Sequence, residues 1–559
     1  MTTTLHPSGH SDGFPRGQLP PAEQWPGLNL TGVYAAPPRM NAAVELLDRA
    51  VAAGDGGRVA LVTPDGAGGW HETTYTELSA HVDALAHVLV SEMGLVSGNR
   101  VLLRGFNGRW MAAAWLATLK AGMVAVTTMP MLRATELRVM IERAACNAAL
   151  CDSRLVDELA TAAAGTPVAQ NTRVWGGDQT GRLDLALARH QARFAACSTA
   201  SDDVALIAFT SGTTGVPKGC MHFHRDVVAM CTGFALQVLG IRADDRCIGT
   251  PPLAFTFGLG GLLCFPLSVR ASAVLLERAT PESLLDTISA TGATISFTAP
   301  TFYRQMALLI REHPGRFYTG SLRACVSAGE ALPDATRTLW RDATGIEMLD
   351  GIGATELIHI FIAAAGRDVR HGAIGRAVPG YDVAVLDDAL RPVPNGTVGR
   401  LAVRGPTGCR YLADERQLAY VQGGWNLTGD AVTMDDDGYV YFKARTDDLI
   451  ISAGYNIGAP EVEAAVLQHE AVLECAVVGV PDVDRGQAVK AFVVLRPGRG
   501  GDDALARAIQ DHVKATIAPY KYPRHVEFVA TLPKTDTGKL QRFRLKETSL
   551  GETSLVEPA

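Results

Sequence analysis

Apolar residues recur along this chain with two different periods. In "YTELSAHVDALAHVLVSEMG" (Tyr75 to Gly94) they return every three or four residues, which puts Leu78, Val82, Leu85 and Leu89 on one face of a helix. "RVLLRGF" from Arg100 and "NAALCD" from Asn147 are short apolar runs with polar flanks and predict strands. From about Asn41 to Ala200 the two textures alternate, and the alternation resumes from Val204 to about Met348. Such βα alternation predicts parallel sheets covered by helices. From Gly380 the pattern changes. "YDVAVLDDALRPVPNGTVGRLAVRG" contains strands split by an Asn-Gly turn, and "DDDGYVYFKARTDDLIISAGYNI" continues in that style, so a small antiparallel sheet or distorted barrel is expected. The last part returns to mixed texture, with helices in "EVEAAVLQH" and "DDALARAIQDHVKATI" and strands in "VLECAVVGVP" and "KAFVVLRPG".

These patterns predict an α/β chain. A Pro- and Gly-rich arm over residues 1–30 lies on the surface or is disordered. A large N-terminal domain over 31–446 combines two βα-layered subdomains with a small distorted β-barrel, and a small α+β C-terminal domain covers 447–559. The boundary falls at the charged "RTDD" (Arg445 to Asp448), whose composition suits a hinge or a plain polar turn.

Composition narrows the class. At 559 residues the chain is too long for one core, and 47% hydrophobic with 19% charged residues describes a globular protein. A net charge of −7 opposes nucleic-acid binding, which needs a basic footprint. Ten cysteines, among them Cys146, Cys220, Cys325 and Cys475, form no C-x-x-C pair and read as reduced core residues of a cytoplasmic protein. The N-terminus lacks the basic start and apolar segment of a signal peptide. The most apolar window, Met111 to Val126, is interrupted by Lys120 and too short for a bilayer, so no membrane association is expected.

One stretch raises a chemical question. "FTSGTTGVPKG" follows the apolar run "VALIAF" (Val204 to Phe209), at the carboxyl end of a predicted strand. On composition alone such a loop is more often a turn than a phosphate cradle. Its position favours a ligand, because open α/β sheets bind at that edge. Thr210, Ser211, Thr213 and Thr214 offer hydroxyls, Gly212 permits close backbone approach, and Lys218 adds positive charge. The spacing is not that of a P-loop NTPase.

With its companions the loop resembles the signature of the adenylate-forming superfamily of acyl-CoA synthetases, adenylation domains and firefly-type luciferases. "SAGEALP" (Ser327 to Pro333) and "LDGIGATE" (Leu349 to Glu356) are similar to segments beside the adenine. The resemblance assigns ATP to Thr210 to Thr214, Lys218, Ala328, Gly329, Glu330, Asp350, Gly351, Ile352 and Thr355. Glu356 becomes the Mg²⁺ ligand and, with Thr355 and Lys539, a catalytic residue. "WNLTGD" (Trp425 to Asp430) supplies Asp430 for the ribose hydroxyls; a carboxylate offers the two acceptors a diol needs. In "KARTDDLIISAGYNIGAPEVE" (Lys443 to Glu463) Arg445 would contact nucleotide and Asp447 would be the pivot of a mobile C-terminal domain. Ser452, Ala453, Gly454 and Tyr455 would line a coenzyme A channel. "PKTDTGKLQR" (Pro533 to Arg542) provides the catalytic Lys539. Alone, a T-E pair, an Asp after Gly or a "TGK" would each be unremarkable.

The resemblance implies that ATP activates a carboxylic acid as acyl-AMP and that coenzyme A then displaces AMP. "PPLAFTFGLGG" (Pro251 to Gly261) with "ATELIHIF" (Ala354 to Phe361) is similar to the pocket of benzoate- and 2-aminobenzoate-CoA ligases. Phe255, Thr256, Phe257, Gly258, Ala328, Gly353, His359 and Ile360 would meet the aryl acid. Positions 251–261 hold no carboxylate, and an unpaired α-ammonium would be costly there, which disfavours amino acids. Anthranilate leads benzoate as the expected substrate. A carrier-protein thiol is the alternative acceptor, a luciferase-like oxygenase and a non-catalytic nucleotide module are the other readings, and the oligomeric state is open between monomer and homodimer.

Overall fold

The computed structural model of the chain describes residues 5–176, 182–210, 217–445, 449–452, 455–482, 485–517, 519–534 and 540–553. Its architecture is the expected α/β class, with four sheets among the described residues. A six-stranded sheet runs in the order Thr172–Trp175, Ala148–Asp152, Arg100–Arg104, Val124–Thr128, Val204–Thr210, Lys218–Phe223. All neighbours are parallel except the last pair. A nine-stranded sheet has parallel strands at its centre: Met348–Gly353, Ala324–Ala328, Ile295–Thr298, Arg246–Gly249, Ser272–Val274 and Val59–Pro64. Antiparallel strands close both of its edges.

The sheets do not follow the two stretches seen in the sequence. Val59–Pro64 and Trp70–Thr74 from the first stretch join the nine-stranded sheet, while Val204–Thr210 and Lys218–Phe223 from the second complete the six-stranded one. Local periodicity fixes the type of an element, whereas its sheet is decided by long-range pairing that leaves no local trace.

Individual elements form for the reasons the pattern gave. The helix Tyr75–His87 starts at Thr74, whose hydroxyl accepts from the Glu77 amide at 3.2 Å while the Glu77 carboxylate accepts from the Thr74 amide at 2.7 Å. This capping box satisfies two amide donors that the first turn leaves free. Leu78, Val82, Leu85 and Leu89 are buried, as the spacing requires.

After Gly380 an antiparallel sheet forms from Asp382–Leu386, Gly399–Arg404, Val421–Gln422, Trp425–Met434 and Val440–Arg445. A separate five-stranded sheet begins at Leu449–Ser452 and is packed by the helices Ala459–Val466 and Asp503–Thr516. The proposed hinge thus falls between strands of different sheets; Asp447 itself lies outside the described residues.

The N-terminal arm is neither loose nor confined to the surface. Arg16 pairs with Asp202 at 2.7 Å and Asp203 at 2.9 Å, and Pro15 and Trp25 are buried. All ten cysteines are free, and eight of them are buried, which fits small core residues. No helix among the described residues is long and apolar enough to cross a membrane.

Lys120, which seemed only to interrupt an apolar helix, is fully buried at the end of Arg109–Lys120. Its ammonium lies 2.8 Å from Asp48 and 2.5 Å from Asp83. Removing the cation would strand two carboxylates away from water. Lys120→Met is therefore expected to lower the unfolding free energy by about 3–5 kcal/mol, measured by urea denaturation; a change below about 1 kcal/mol would contradict the buried-pair reading.

Candidate active site

The residues expected to meet ATP converge where several strands end. Strands Val204–Thr210 and Lys218–Phe223 form an antiparallel hairpin in which Thr210 pairs with Lys218. The loop between them carries Ser211, Gly212, Thr213 and Thr214, which lie outside the described residues. Ala328 and Asp350 lie on neighbouring strands, where Ser327 pairs with Asp350 and Ala328 with Gly351. Gly329 follows with φ +94°, a backbone turn that glycine makes without strain, and Glu330 accepts a hydrogen bond from Thr301 at 2.8 Å. Ile352 and Gly353 end the next strand, and the chain then makes the short turn Thr355–Leu357.

That turn is fastened to the hairpin. The imidazole Nε2 of His222 lies 2.7 Å from the Thr355 carbonyl, which can only accept, so Nε2 carries the proton. On its other side the His222 ring faces Asp226 at 3.8 Å, and Asp226 pairs with the buried Arg410 at 2.8 Å. Burial raises the Asp226 carboxyl, but Arg410, then His222 and then Arg225 outweigh it and hold the carboxyl well below the usual range. The Arg410 guanidinium stacks over Phe223, 4.0 Å from its centroid, and lies 5.2 Å from the ring of Trp25 in the N-terminal arm.

Glu356 is buried and accepts a 2.6 Å hydrogen bond from the Tyr411 hydroxyl. Lys218 donates to that same hydroxyl at 2.8 Å and stands 3.6 Å from Glu356. Tyr420 packs edge-on against Tyr411, and its phenol is pushed up by burial first and then by Glu356 and, more weakly, Asp430. Asp430 sits opposite Arg445 in the antiparallel pair, 2.7 Å from its guanidinium, which also donates to the Thr428 carbonyl at 2.9 Å.

The predicted acyl-contacting residues also meet. Phe255 precedes the short helix Thr256–Leu259, in which Thr256 and Gly258 are buried. A side chain at Gly258 would strike the Pro252 carbonyl at 2.2 Å, and one at Gly260 would strike the His359 ring at 2.4 Å. His359 is buried among Phe265 at 4.5 Å, Phe234 at 5.6 Å and Phe257 at 5.8 Å between ring centroids. Its Nε2 lies 3.4 Å from the Phe257 carbonyl, and its Nδ1 has no partner among the described residues. Burial pushes the imidazole down to about 3, so it is neutral near pH 7. Ile360 begins the strand after it.

Several residues went unassigned in the sequence. Tyr411, Tyr420, Phe234 and Phe265 lie in segments that no motif marked, and aromatic residues in such segments carry no spacing signal. Among the expected positions, Ser452 is buried in the C-terminal sheet and Tyr455 opens its second strand, while Ala453, Gly454 and Lys539 lie outside the described residues.

The chain is similar to known proteins along most of its length. The AMP-binding enzyme family matches residues 48–411, and the AMP-binding enzyme C-terminal domain matches 461–539. The chain is 37% identical over 524 residues to the benzoate–CoA ligase of Thauera aromatica, covering 93% of this chain and 98% of that one. Its structure resembles that of the anthranilate CoA ligase AuaEII in complex with anthranoyl-AMP, with a TM-score of 0.87 and 34% identity over 94% of this chain and 100% of that one. A benzoate CoA ligase from Burkholderia xenovorans gives a TM-score of 0.81 and 31% identity over 91% of this chain and 100% of that one. The chain belongs to the AMP-binding enzyme family.

Two buried groups set opposite pH dependences. His359 takes up a proton on unfolding below its ordinary 6.5, so its contribution to stability falls as pH drops from 6.5 toward about 3. Burial pushes Asp350 up to about 7; the unfolded chain loses that proton near 3.8, so stability from this group falls as pH rises toward 7. His359→Leu is therefore expected to reduce the acid loss between pH 6.5 and roughly 4.5 by about 2 kcal/mol. Urea unfolding at both pH values measures this, and an unchanged acid limb would contradict it.

Proposed function

We propose that this chain is an ATP-dependent aryl-CoA ligase, with 2-aminobenzoate (anthranilate) as its preferred acid and benzoate as the nearest alternative. The observation that carries this reading is the neutral His359 among Phe234, Phe257 and Phe265, three residues beyond Glu356. An apolar aromatic lining beside a charged phosphate end suits an acid whose carboxylate faces ATP and whose ring faces phenylalanine. Positions 251–261 supply no carboxylate for an ammonium, and an aryl amine, neutral at pH 7, needs none. The likeness to an anthranilate CoA ligase and to benzoate CoA ligases supports the same reading.

In this reading the acid's carboxylate attacks the α-phosphate of ATP, giving aryl-AMP and pyrophosphate, and the thiolate of coenzyme A then displaces AMP. Lys218 and Lys539 stabilise charge that shifts among the phosphates, and Asp430 accepts from the ribose hydroxyls. Arg445 pairs with Asp430 in this structure, so nucleotide would share or replace that contact. Glu356 fits a magnesium ion. It is a hard oxygen ligand beside the phosphate hairpin, and no cluster of three or more His, Cys, Asp or Glu gathers among the described residues. That suits an ion held by one or two carboxylates and the substrate's phosphates. When bound, the ion supplies charge neutralisation at the phosphates. Asp447 is the proposed pivot that would exchange Lys539 for the segment Ser452–Tyr455 before thioester formation.

ATP–pyrophosphate exchange across anthranilate, benzoate, salicylate and a long-chain fatty acid tests the assignment. Exchange is expected to be fastest with anthranilate, closely followed by benzoate, and at least tenfold slower with the fatty acid. Fastest exchange with the long-chain acid would overturn the pocket reading.

A further inference from the structure

The hydroxyl of Tyr411 stands between the two charged groups expected to serve ATP. It accepts from Lys218 at 2.8 Å and donates to Glu356 at 2.6 Å, while Lys218 and Glu356 themselves remain 3.6 Å apart. Both bonds have a fixed direction. An ammonium can only donate and an ionised carboxylate can only accept, so the phenol uses its lone pair toward one and its proton toward the other.

The ring has little freedom to move. Tyr411 is fully buried, its amide donates to Gln417 at 2.9 Å, and Tyr420 packs on it with ring centroids 5.7 Å apart. The Lys218 ammonium lies 4.8 Å from the Tyr411 ring centroid and 5.9 Å from that of Tyr420. The Tyr420 hydroxyl is buried without a partner among the described residues. Lys218 and Glu356 are largely shielded from water, with side-chain exposures of 20% and 11%. At that burial a direct ion pair would be considerably stronger than at the surface, and less than an ångström of movement would form it.

We propose that Tyr411 is a positioning residue that acts as a spacer. It holds the Lys218–Glu356 ion pair open at 3.6 Å, short of hydrogen-bond contact, so that each remains available to the phosphates and to their magnesium ion. The proposal rests on the reading of this site as the ATP site. Without the hydroxyl the pair closes to hydrogen-bond contact, and bound MgATP must first separate it. A phenol that merely filled space would make no such connection between its own loss and the presence of Lys218.

Calorimetric binding of MgATP to the wild type, Tyr411→Phe, Lys218→Met and the double variant tests this. In the wild-type background Tyr411→Phe is expected to weaken MgATP binding about tenfold. In the Lys218→Met background the same change is expected to cost less than twofold, because no ion pair can form. The same weakening in both backgrounds, or none in either, would overturn the spacer. If the wild type does not bind MgATP, the ATP-site reading falls first, a result distinct from additive losses. Should Tyr411→Phe not fold, tyrosines labelled with ¹³C at Cζ answer the same question in the full-length chain. A resonance moved by Lys218→Met is expected to move also when MgATP is added to the wild type, and the absence of a shared resonance would overturn the proposal.

Discussion

The site depends on the register in which residues 410–412 lie along the strand Lys218–Phe223. The Met221 amide donates to the Arg410 carbonyl and the Leu412 amide to the Gly219 carbonyl, both at 2.8 Å, with Cys220 opposite Tyr411. Side chains alternate on extended backbone, so this register sends Arg410 and Tyr411 to opposite sides. Arg410 meets Asp226 and Tyr411 meets Lys218 and Glu356. A slip by one residue would exchange the two, burying an arginine against a lysine and leaving Asp226 without its cation. Gly219 serves the same packing, since a side chain there would lie 3.0 Å from Ile207 and 3.3 Å from Leu412.

A second constraint separates the charged and apolar halves of the site. After the Thr355–Leu357 turn the chain passes through Ile358 with φ +65°, a conformation that β-branched residues seldom adopt. Such a residue costs of the order of 1–3 kcal/mol and persists only where its surroundings enforce it. Ile358 is fully buried, and on its two sides the chain makes contacts of opposite kinds: Glu356 with a lysine and a phenol, His359 with three phenylalanines. One reversal of the backbone thus places the buried Glu356 carboxylate and the aromatic cluster around His359 three residues apart.

Much of this was legible in the sequence, and the remainder was not for physical reasons. The helix Tyr75–His87, the strand Val204–Thr210 before the Gly- and Thr-rich loop and the change of texture at Gly380 followed from local periodicity. The ordered motifs pointed to Lys218, Thr355 and Glu356, which the structure places beside one another through His222 and Tyr411. Sheet membership did not follow from local pattern, because Val59–Pro64 pairs with Ser272–Val274 some two hundred positions later. The arm was misread because its anchors, Arg16 and Trp25, find Asp202, Asp203 and Arg410 only in three dimensions. The burial of Lys120 went unforeseen because it depends on two distant carboxylates, and Tyr411 went unassigned because one tyrosine in a polar stretch has no pattern.

In the proposed function an aryl acid is activated where the aromatic cluster around His359 meets the hairpin that carries Lys218. A crystal structure with the sulfamoyl-adenosine analogue of anthranoyl-AMP tests it most directly. The aryl ring is expected against Phe255, Phe257 and His359, with the ribose hydroxyls on Asp430. A ring bound elsewhere, or a ribose that does not reach Asp430, would contradict it.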